Sequence, residues 1–196
     1  MEDFRFTNNP KSEIPNPKSN MAVLQRIRNF FVPSVIEPEI VIPAPETVYE
    51  IKILNDKQLN EVWRLNQRCF KAGENYNQGT FSYLLSQPNT LSYRIITLNN
   101  EMAGFIFVVV MEDGTAHLTT IGVAPEHRRR GLAKQMLLHI EDALRRREIS
   151  MICLEVRIKN ISAQTLYHEL GYAIMQRLKQ YYNNGEDGYL MVKSLI

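Results

Sequence analysis

Apolar positions recur along this chain in two rhythms. Residues 116–123 (A-H-L-T-T-I-G-V) hold no Lys, Arg, Asp or Glu and are rich in apolar and β-branched side chains, the pattern of a strand. Shortly afterwards Leu132, Met136, Leu137, Ile140 and Leu144 recur at helical spacing and predict a long amphipathic helix. Upstream, residues 48–54 read as a first strand, and Asn55 or Asp56 caps a helix with Leu59, Val62, Trp63, Cys69 and Phe70 inward and Gly73 at its end. A loop over 73–79 leads to a short helix over 80–86 that must stop before Pro88. Strands are expected over 91–98, 102–111 and 115–123, joined by Asn99-Asn100 and Asp113-Gly114 as an antiparallel meander. After the long helix come a strand over 151–158, a helix over 162–170 stopped by Gly171, and a hairpin of 173–182 with 188–192.

Composition changes the picture at the N-terminus. Seven of the nine prolines and no glycine fall in the first 45 of the 196 residues, poor material for a core. Residues 1–46 are therefore expected to be a loosely packed or disordered tail, and 47–196 the folded domain. Within the tail, residues 21–32 form a short basic amphipathic stretch that suits packing on the domain, on a partner or on a membrane surface. The 44% hydrophobic content suits one core, and a net charge of +2 does not announce a nucleic-acid binder. Arg145, Arg146 and Arg147 lack the interleaved aromatics of such a surface. No apolar run reaches bilayer length, so no stable membrane insertion is expected. The two cysteines, Cys69 and Cys153, lack metal-ligand spacing; they read as core thiols of a cytoplasmic protein that needs no metal.

Candidate chemistry lies at the junction V-A-P-E-H-R-R-R-G-L-A, where a strand ends and the long helix begins. Backbone N–H groups of Arg128, Arg129, Arg130, Gly131, Leu132 and Ala133 are expected to face outward at the positive end of the helix, a place for a pyrophosphate. Gly131 lets the backbone approach a bulky ligand.

Arg128, Gly131 and Ala133 match the Q/R-x-x-G-x-G/A signature, so the chain resembles the GCN5-related N-acetyltransferases. The run L-E-V-R-I-K-N-I-S-A-Q-T-L-Y-H-E-L-G-Y from Leu154, with Asn160, Ala163, Leu166, Tyr167, Gly171 and Tyr172, is similar to the second block of the RimI-like and Ard-like N-terminal acetyltransferases. Tyr181-Tyr182 followed by Gly185-Glu186-Asp187 resembles their closing hairpin. The resemblance implies an α/β (α+β) acyl-CoA N-acyltransferase fold with a mixed central sheet flanked by helices. In that fold the strands before and after the long helix lie parallel and splay around the cofactor arm.

The implied reaction is direct acetyl transfer in a ternary complex, from acetyl-CoA to the α-amine of a protein or peptide N-terminus such as that of a ribosomal protein. Glu155 stands at the family's base position, and Tyr167 at that of the tyrosine that protonates the departing sulfur. Asn160 is expected to bond the pantetheine arm or else to cap a helix. Backbone N–H groups of Ile121, Gly122 and Val123 would meet the carbonyl's developing charge beside a strand bulge. Glu74 and Tyr76 on one loop and Tyr181 and Tyr182 on the hairpin are expected to line the acceptor groove. Glu74 is an alternative base, and His117, an imidazole on the preceding strand, a further one. A small-amine acetyltransferase and a non-catalytic acyl-CoA-binding module remain alternatives. A monomer or weak dimer is expected, with room for an auxiliary subunit.

Overall fold

In a computed structural model, the described residues are 48–70 and 75–196. The expected tail over 1–46 lies outside them, as does Glu74.

Strand β1 (Tyr49–Ile53) ends at a short turn capped by Asn55, whose side chain accepts the Lys57 N–H at 3.1 Å while Gln58 returns to the Asn55 N–H at 3.3 Å. Helix α1 (Leu59–Cys69) follows, then α2 (Gln78–Ser86), started by Asn77, whose side chain accepts the Thr80 N–H at 2.8 Å. Strands β2 (Thr90–Thr97), β3 (Met102–Val110) and β4 (Thr115–Val123) form the expected meander. Helix α3 (Leu132–Arg145), strand β5 (Met151–Arg157), helix α4 (Ile161–Glu169) and strands β6 (Ala173–Leu178) and β7 (Gly188–Ser194) complete the order. The seven strands make one mixed sheet in the order β1-β2-β3-β4-β5-β7-β6, as the resemblance implied.

Strand β3 explains how the layers hold together. Its M-A-G-F-I-F-V-V-V run is apolar without interruption, which suits a strand covered on both faces. Phe105 and Phe107 join Val62, Leu65, Phe81 and Leu84 under α1 and α2. Ile106 and Val108 point the other way and join Leu132, Met136, Leu137, Ile140 and Leu144 of α3. Each fully buried side chain of this size contributes roughly 1.5–3 kcal/mol.

Two expected boundaries move. Helix α1 ends at Cys69 because Phe70 turns extended (φ −121°, ψ 150°). The strand expected over 173–182 stops at Leu178, because Gln180 takes a positive φ of 50° and gives its N–H to Asp187 Oδ1 at 2.8 Å. Tyr181 and Tyr182 therefore stand in the loop between β6 and β7. No helix among the described residues is long and apolar enough to cross a membrane.

The sheet's one parallel contact positions the site. β4 and β5 pair over three positions, Thr115 with Met151, Ala116 with Ile152, and His117 with Cys153, and then part. On the other edge of β4 the register to β3 shifts between Leu118 and Thr120, leaving Thr119 as a bulge. Beyond His117, β4 runs on beside β3 while β5 runs on beside β7, which opens the expected splay.

Candidate active site

At the point of parting, His117 Nε2 lies 2.7 Å from Glu155 Oε2. Glu155 stands two residues beyond Cys153, so its side chain shares a face with the residue opposite His117 and reaches the imidazole across the opening gap. The two side chains remain 31% and 21% exposed, open enough to meet a ligand. His117 Nδ1 stands 3.5 Å from Thr119 Oγ1 at the bulge. Along the sequence His117 and Glu155 read as separate candidates for the base; the parallel register makes them one pair.

The bulge also holds Tyr76. Tyr76 donates its hydroxyl to the Thr119 carbonyl at 3.4 Å and stacks edge-on against Phe81 at 6.0 Å. Its own carbonyl accepts from the buried Asn66 side chain at 3.1 Å, tying the loop to α1. Burial, with help from the charge of Glu155, pushes the Tyr76 phenol above its ordinary pKa. Tyr181 and Tyr182 stand in the β6–β7 loop with rings edge to face at 5.1 Å. Burial first, then Glu155 and Tyr76, raise Tyr181. Tyr76, Tyr181 and Glu155 thus share one electrostatic neighbourhood.

Tyr167 stands on α4, buried, with its ring 5.6 Å from that of Tyr172. Burial drives its pKa far above the ordinary phenol value, and the neighbouring Tyr182 adds to this. The hydroxyl is thereby held protonated, a donor rather than an anion. Asn160 is the N-cap of the same helix: its side chain accepts the Ala163 N–H at 3.2 Å. The side chain thus caps the helix through its oxygen, and the amide nitrogen is not used by that bond.

The turn before α3 departs from expectation at one position. The Arg128 N–H was expected to face outward; instead it donates to the Pro125 carbonyl at 3.3 Å, because Pro125–His127 forms a 3-10 turn. The Arg128 guanidinium braces the turn from behind, reaching the Val123 and Cys69 carbonyls at 3.2 Å each. Beyond it, Arg129 and Gly131 take positive φ of 62° and 75°, so the backbone curls as it enters the helix. The first helical bond runs from the Gln135 N–H to the Gly131 carbonyl, so Arg130, Leu132 and Ala133 precede it. A side chain added at Gly131 would meet nothing within 4 Å beyond its chain neighbours, so the turn is open at this point. Arg130 reaches the Tyr49 hydroxyl at 3.2 Å, and that hydroxyl meets His127 Nδ1 at 2.9 Å. These residues fit a nucleotide thioester entering between β4 and β5.

Among the described residues, Glu101, Glu126 and His127 are grouped closely enough to hold a cation. Both Glu126 oxygens lie 2.6 Å from Arg68, however, so that carboxylate already has a cation as its partner.

A mixed sheet whose parallel strands part around a helix-capping anion turn is the architecture of an acyl-CoA-dependent transferase. The model of the Acetyltransferase (GNAT) family matches residues 59–172, and the chain belongs to that family. It is 32% identical over 145 residues to the ribosomal protein bS18-alanine N-acetyltransferase of Salmonella typhimurium, covering 72% of this chain and 94% of the relative. It is 36% identical over 100 residues to NAA20, the catalytic subunit of the N-terminal acetyltransferase B complex of Arabidopsis thaliana, covering 49% of this chain and 58% of the relative. Among solved structures, the ribosomal-protein-S18-alanine N-acetyltransferase of Escherichia coli superposes with a TM-score of 0.69 at 28% identity, covering 76% of this chain and 94% of that one. Ard1 of Thermoplasma volcanium has the same fold, with a TM-score of 0.69 at 21% identity over 76% of this chain and 98% of its own.

Proposed function

We propose that this enzyme transfers an acetyl group from acetyl-CoA to the α-amine of a protein or peptide N-terminus, directly and within a ternary complex. The observation that carries this reading is the His117–Glu155 pair with Tyr76 and Tyr181 in its electrostatic neighbourhood; we take Tyr76 and Tyr181-Tyr182 as the walls of an acceptor groove. Aromatic walls hold a peptide backbone through broad contact and hydroxyl groups while reading little side-chain identity. The named activities of the bacterial and plant relatives support the same acceptor class.

Acetyl-CoA supplies an activated thioester carbonyl. Its pyrophosphate belongs on the turn of Arg129, Arg130, Gly131, Leu132 and Ala133, with Asn160 beside the pantetheine arm. An N-terminal amine has a pKa near 8, so about a tenth is neutral at pH 7 and the base need supply only a modest factor. The His117–Glu155 pair takes the amine's proton. The backbone N–H groups of Ile121 and Val123, which alternate away from β3 because Ala124 gives its N–H to the Ala103 carbonyl, meet the negative charge that grows on the carbonyl oxygen, while that of Gly122 points back to β3. Tyr167, kept protonated by burial, gives its proton to the departing sulfur.

A polyamine or aminoglycoside acceptor needs several open carboxylates. Glu186 is bound to Arg157 at 2.9 Å and Asp187 to Arg177 at 2.7 Å, so neither is open to receive an ammonium. Glu155, by contrast, meets an imidazole rather than a guanidinium. We place the protein in the cytoplasm, where the free thiols Cys69 and Cys153 stay reduced, and assign residues 1–46 to an extension outside the catalytic domain.

Product mapping tests the acceptor. A peptide carrying both a free α-amine and a lysine should gain one acetyl group on the α-amine, and the same peptide blocked at its N-terminus should gain none. Acetylation of the lysine alone contradicts the proposal.

A further inference from the structure

The loop over 179–187 carries Tyr181 and Tyr182 yet lies outside the sheet ladder, since β6 ends at Leu178 and β7 begins at Gly188. Its internal backbone bonds are few: Gly185 N–H to the Tyr182 carbonyl and Tyr182 N–H to the Glu186 carbonyl. A wall that must hold a substrate needs more than this. The structure supplies it from β5.

Arg157 is the last residue of β5, two positions beyond Glu155 and so on the same face. The central carbon of its guanidinium lies 3.8 Å from the centroid of the Tyr182 ring. Nη1 donates to Glu186 Oε2 at 2.9 Å and to Asn184 Oδ1 at 3.1 Å, so the group also grips both ends of the turn that follows Tyr182. Glu186 Oε1 accepts the Lys159 N–H at 3.1 Å, which anchors the turn to the strand's exit. On another side, the Tyr182 ring rests against bare backbone: a side chain at Gly188 would come within 3.2 Å of Tyr182 Cε2 and 3.5 Å of Tyr181 Cδ1. The ring is therefore fixed between a planar cation and a glycine.

Electrostatics agree on where this ring stands. Burial pushes the Tyr182 phenol up to about 12 against the lowering effect of Arg157, and Tyr181 and Glu155 raise it further. Tyr182 in turn raises the phenol of Tyr167. It thus lies within electrostatic reach of both the proton acceptor and the proton donor.

Resting on the acceptor class given above, we propose that Arg157 is the positioning residue of the acceptor groove: stacked on Tyr182 and tied to Glu186 and Asn184, it holds the 179–187 loop as a preformed wall for the substrate backbone. It touches no reacting atom. Its loss lets the wall drift and weakens acceptor binding, while the cofactor turn before α3, on another part of the sheet, is unaffected. A lysine cannot replace it, because an ammonium offers no flat face to the ring and no fork for the carboxylate and amide.

The test is steady-state kinetics of the full chain with saturating acetyl-CoA and the best N-terminal peptide found, together with calorimetric coenzyme A binding and thermal melting. Arg157→Gln should raise the peptide KM about tenfold, change kcat by no more than about twofold, and leave coenzyme A affinity at the wild-type value. Arg157→Lys should resemble Arg157→Gln rather than the wild type. Tyr182→Ala should raise KM to a similar degree, and adding Arg157→Gln to it should cost little more, since the two act through one contact. Glu186→Gln, which keeps Arg157 but loosens its tie, should raise KM to an intermediate extent and serves if the arginine variants do not fold. An unchanged KM in a folded Arg157→Gln or Glu186→Gln protein overturns the proposal, as do Arg157→Gln and Tyr182→Ala effects that multiply. If the wild type acetylates no peptide, the acceptor class and this inference fall together. If it acetylates peptides while both the arginine and glutamate variants keep their KM, only the inference falls.

Discussion

His117 and Glu155 are 38 residues apart in sequence and 2.7 Å apart in space, joined at the last paired position before β4 and β5 diverge. Under the proposed reaction this imidazole–carboxylate pair takes the proton of the acceptor amine, and the two members act together. We predict that Glu155→Gln and His117→Gln each lower kcat about tenfold at pH 6.5 and by less at pH 9, where most of an amine of pKa near 8 is already neutral. The double variant should lose little more than the worse single one. Saturating kinetics from pH 6 to 9 check this; single-variant losses that multiply in the double variant count against a shared role.

Gly131 offers a cleaner probe of the cofactor turn. Its φ of 75° makes any side chain strained, and Gly131→Ala should cost about 1–2 kcal/mol of stability. Gly131→Glu adds bulk and negative charge in the open space before the helix. We predict at least a tenfold loss of coenzyme A affinity by calorimetry in folded Gly131→Glu. Unchanged affinity would remove the turn from the cofactor site.

Burial of Tyr167 has a consequence for stability. Its folded pKa is raised far above the ordinary phenol value of about 10, and Tyr172 is raised likewise by burial and by Glu141. For a raised group the stabilising contribution is complete below the unfolded pKa and is lost as pH climbs from there toward the folded value. Melting temperature should therefore hold up to about pH 10 and fall above it, and Tyr167→Phe should flatten that fall. Tyr167→Phe should also lower kcat at least tenfold with coenzyme A binding intact. A Tyr167→Phe enzyme with wild-type kcat would take the proton-donor role from this residue.

The first 45 residues hold seven of the nine prolines and little periodic apolar material, a poor basis for a core. Removing residues 1–45 should accordingly leave melting temperature within a few degrees and peptide turnover near the full-length value. A truncated protein that is insoluble, or melts much lower, would make the extension part of the core.

Much of this architecture was legible because local rules and tertiary packing agree. The spacing of Leu132, Met136, Leu137, Ile140 and Leu144 marks α3, and each of these side chains is buried against the sheet. Gly131 marks its start because only glycine adopts that turn at low cost. The end of β6 was not legible: Tyr181 and Tyr182 have strand-forming side chains, and the stop comes from the Asp187 carboxylate binding the Gln180 N–H and Arg177 from farther along the chain. The backbone N–H of Arg128 was expected to face an anion, yet the 3-10 turn spends it on the Pro125 carbonyl, and carbonyls of Val123 and Cys69 claim the guanidinium. The pairing of His117 with Glu155 and the seating of Arg157 on Tyr182 depend on the β4–β5 and β5–β7 registers, which residue spacing does not encode. Glu74, the alternative base, lies outside the described residues.

The most direct test of the central claim is a comparison of kcat/KM for a library of N-terminal peptides against spermidine and an aminoglycoside, with Glu155→Gln as the control for the site. The account predicts that at least one peptide exceeds every small amine and that this turnover falls in Glu155→Gln. A higher kcat/KM for spermidine or the aminoglycoside than for every peptide, lost in the same variant, would contradict it.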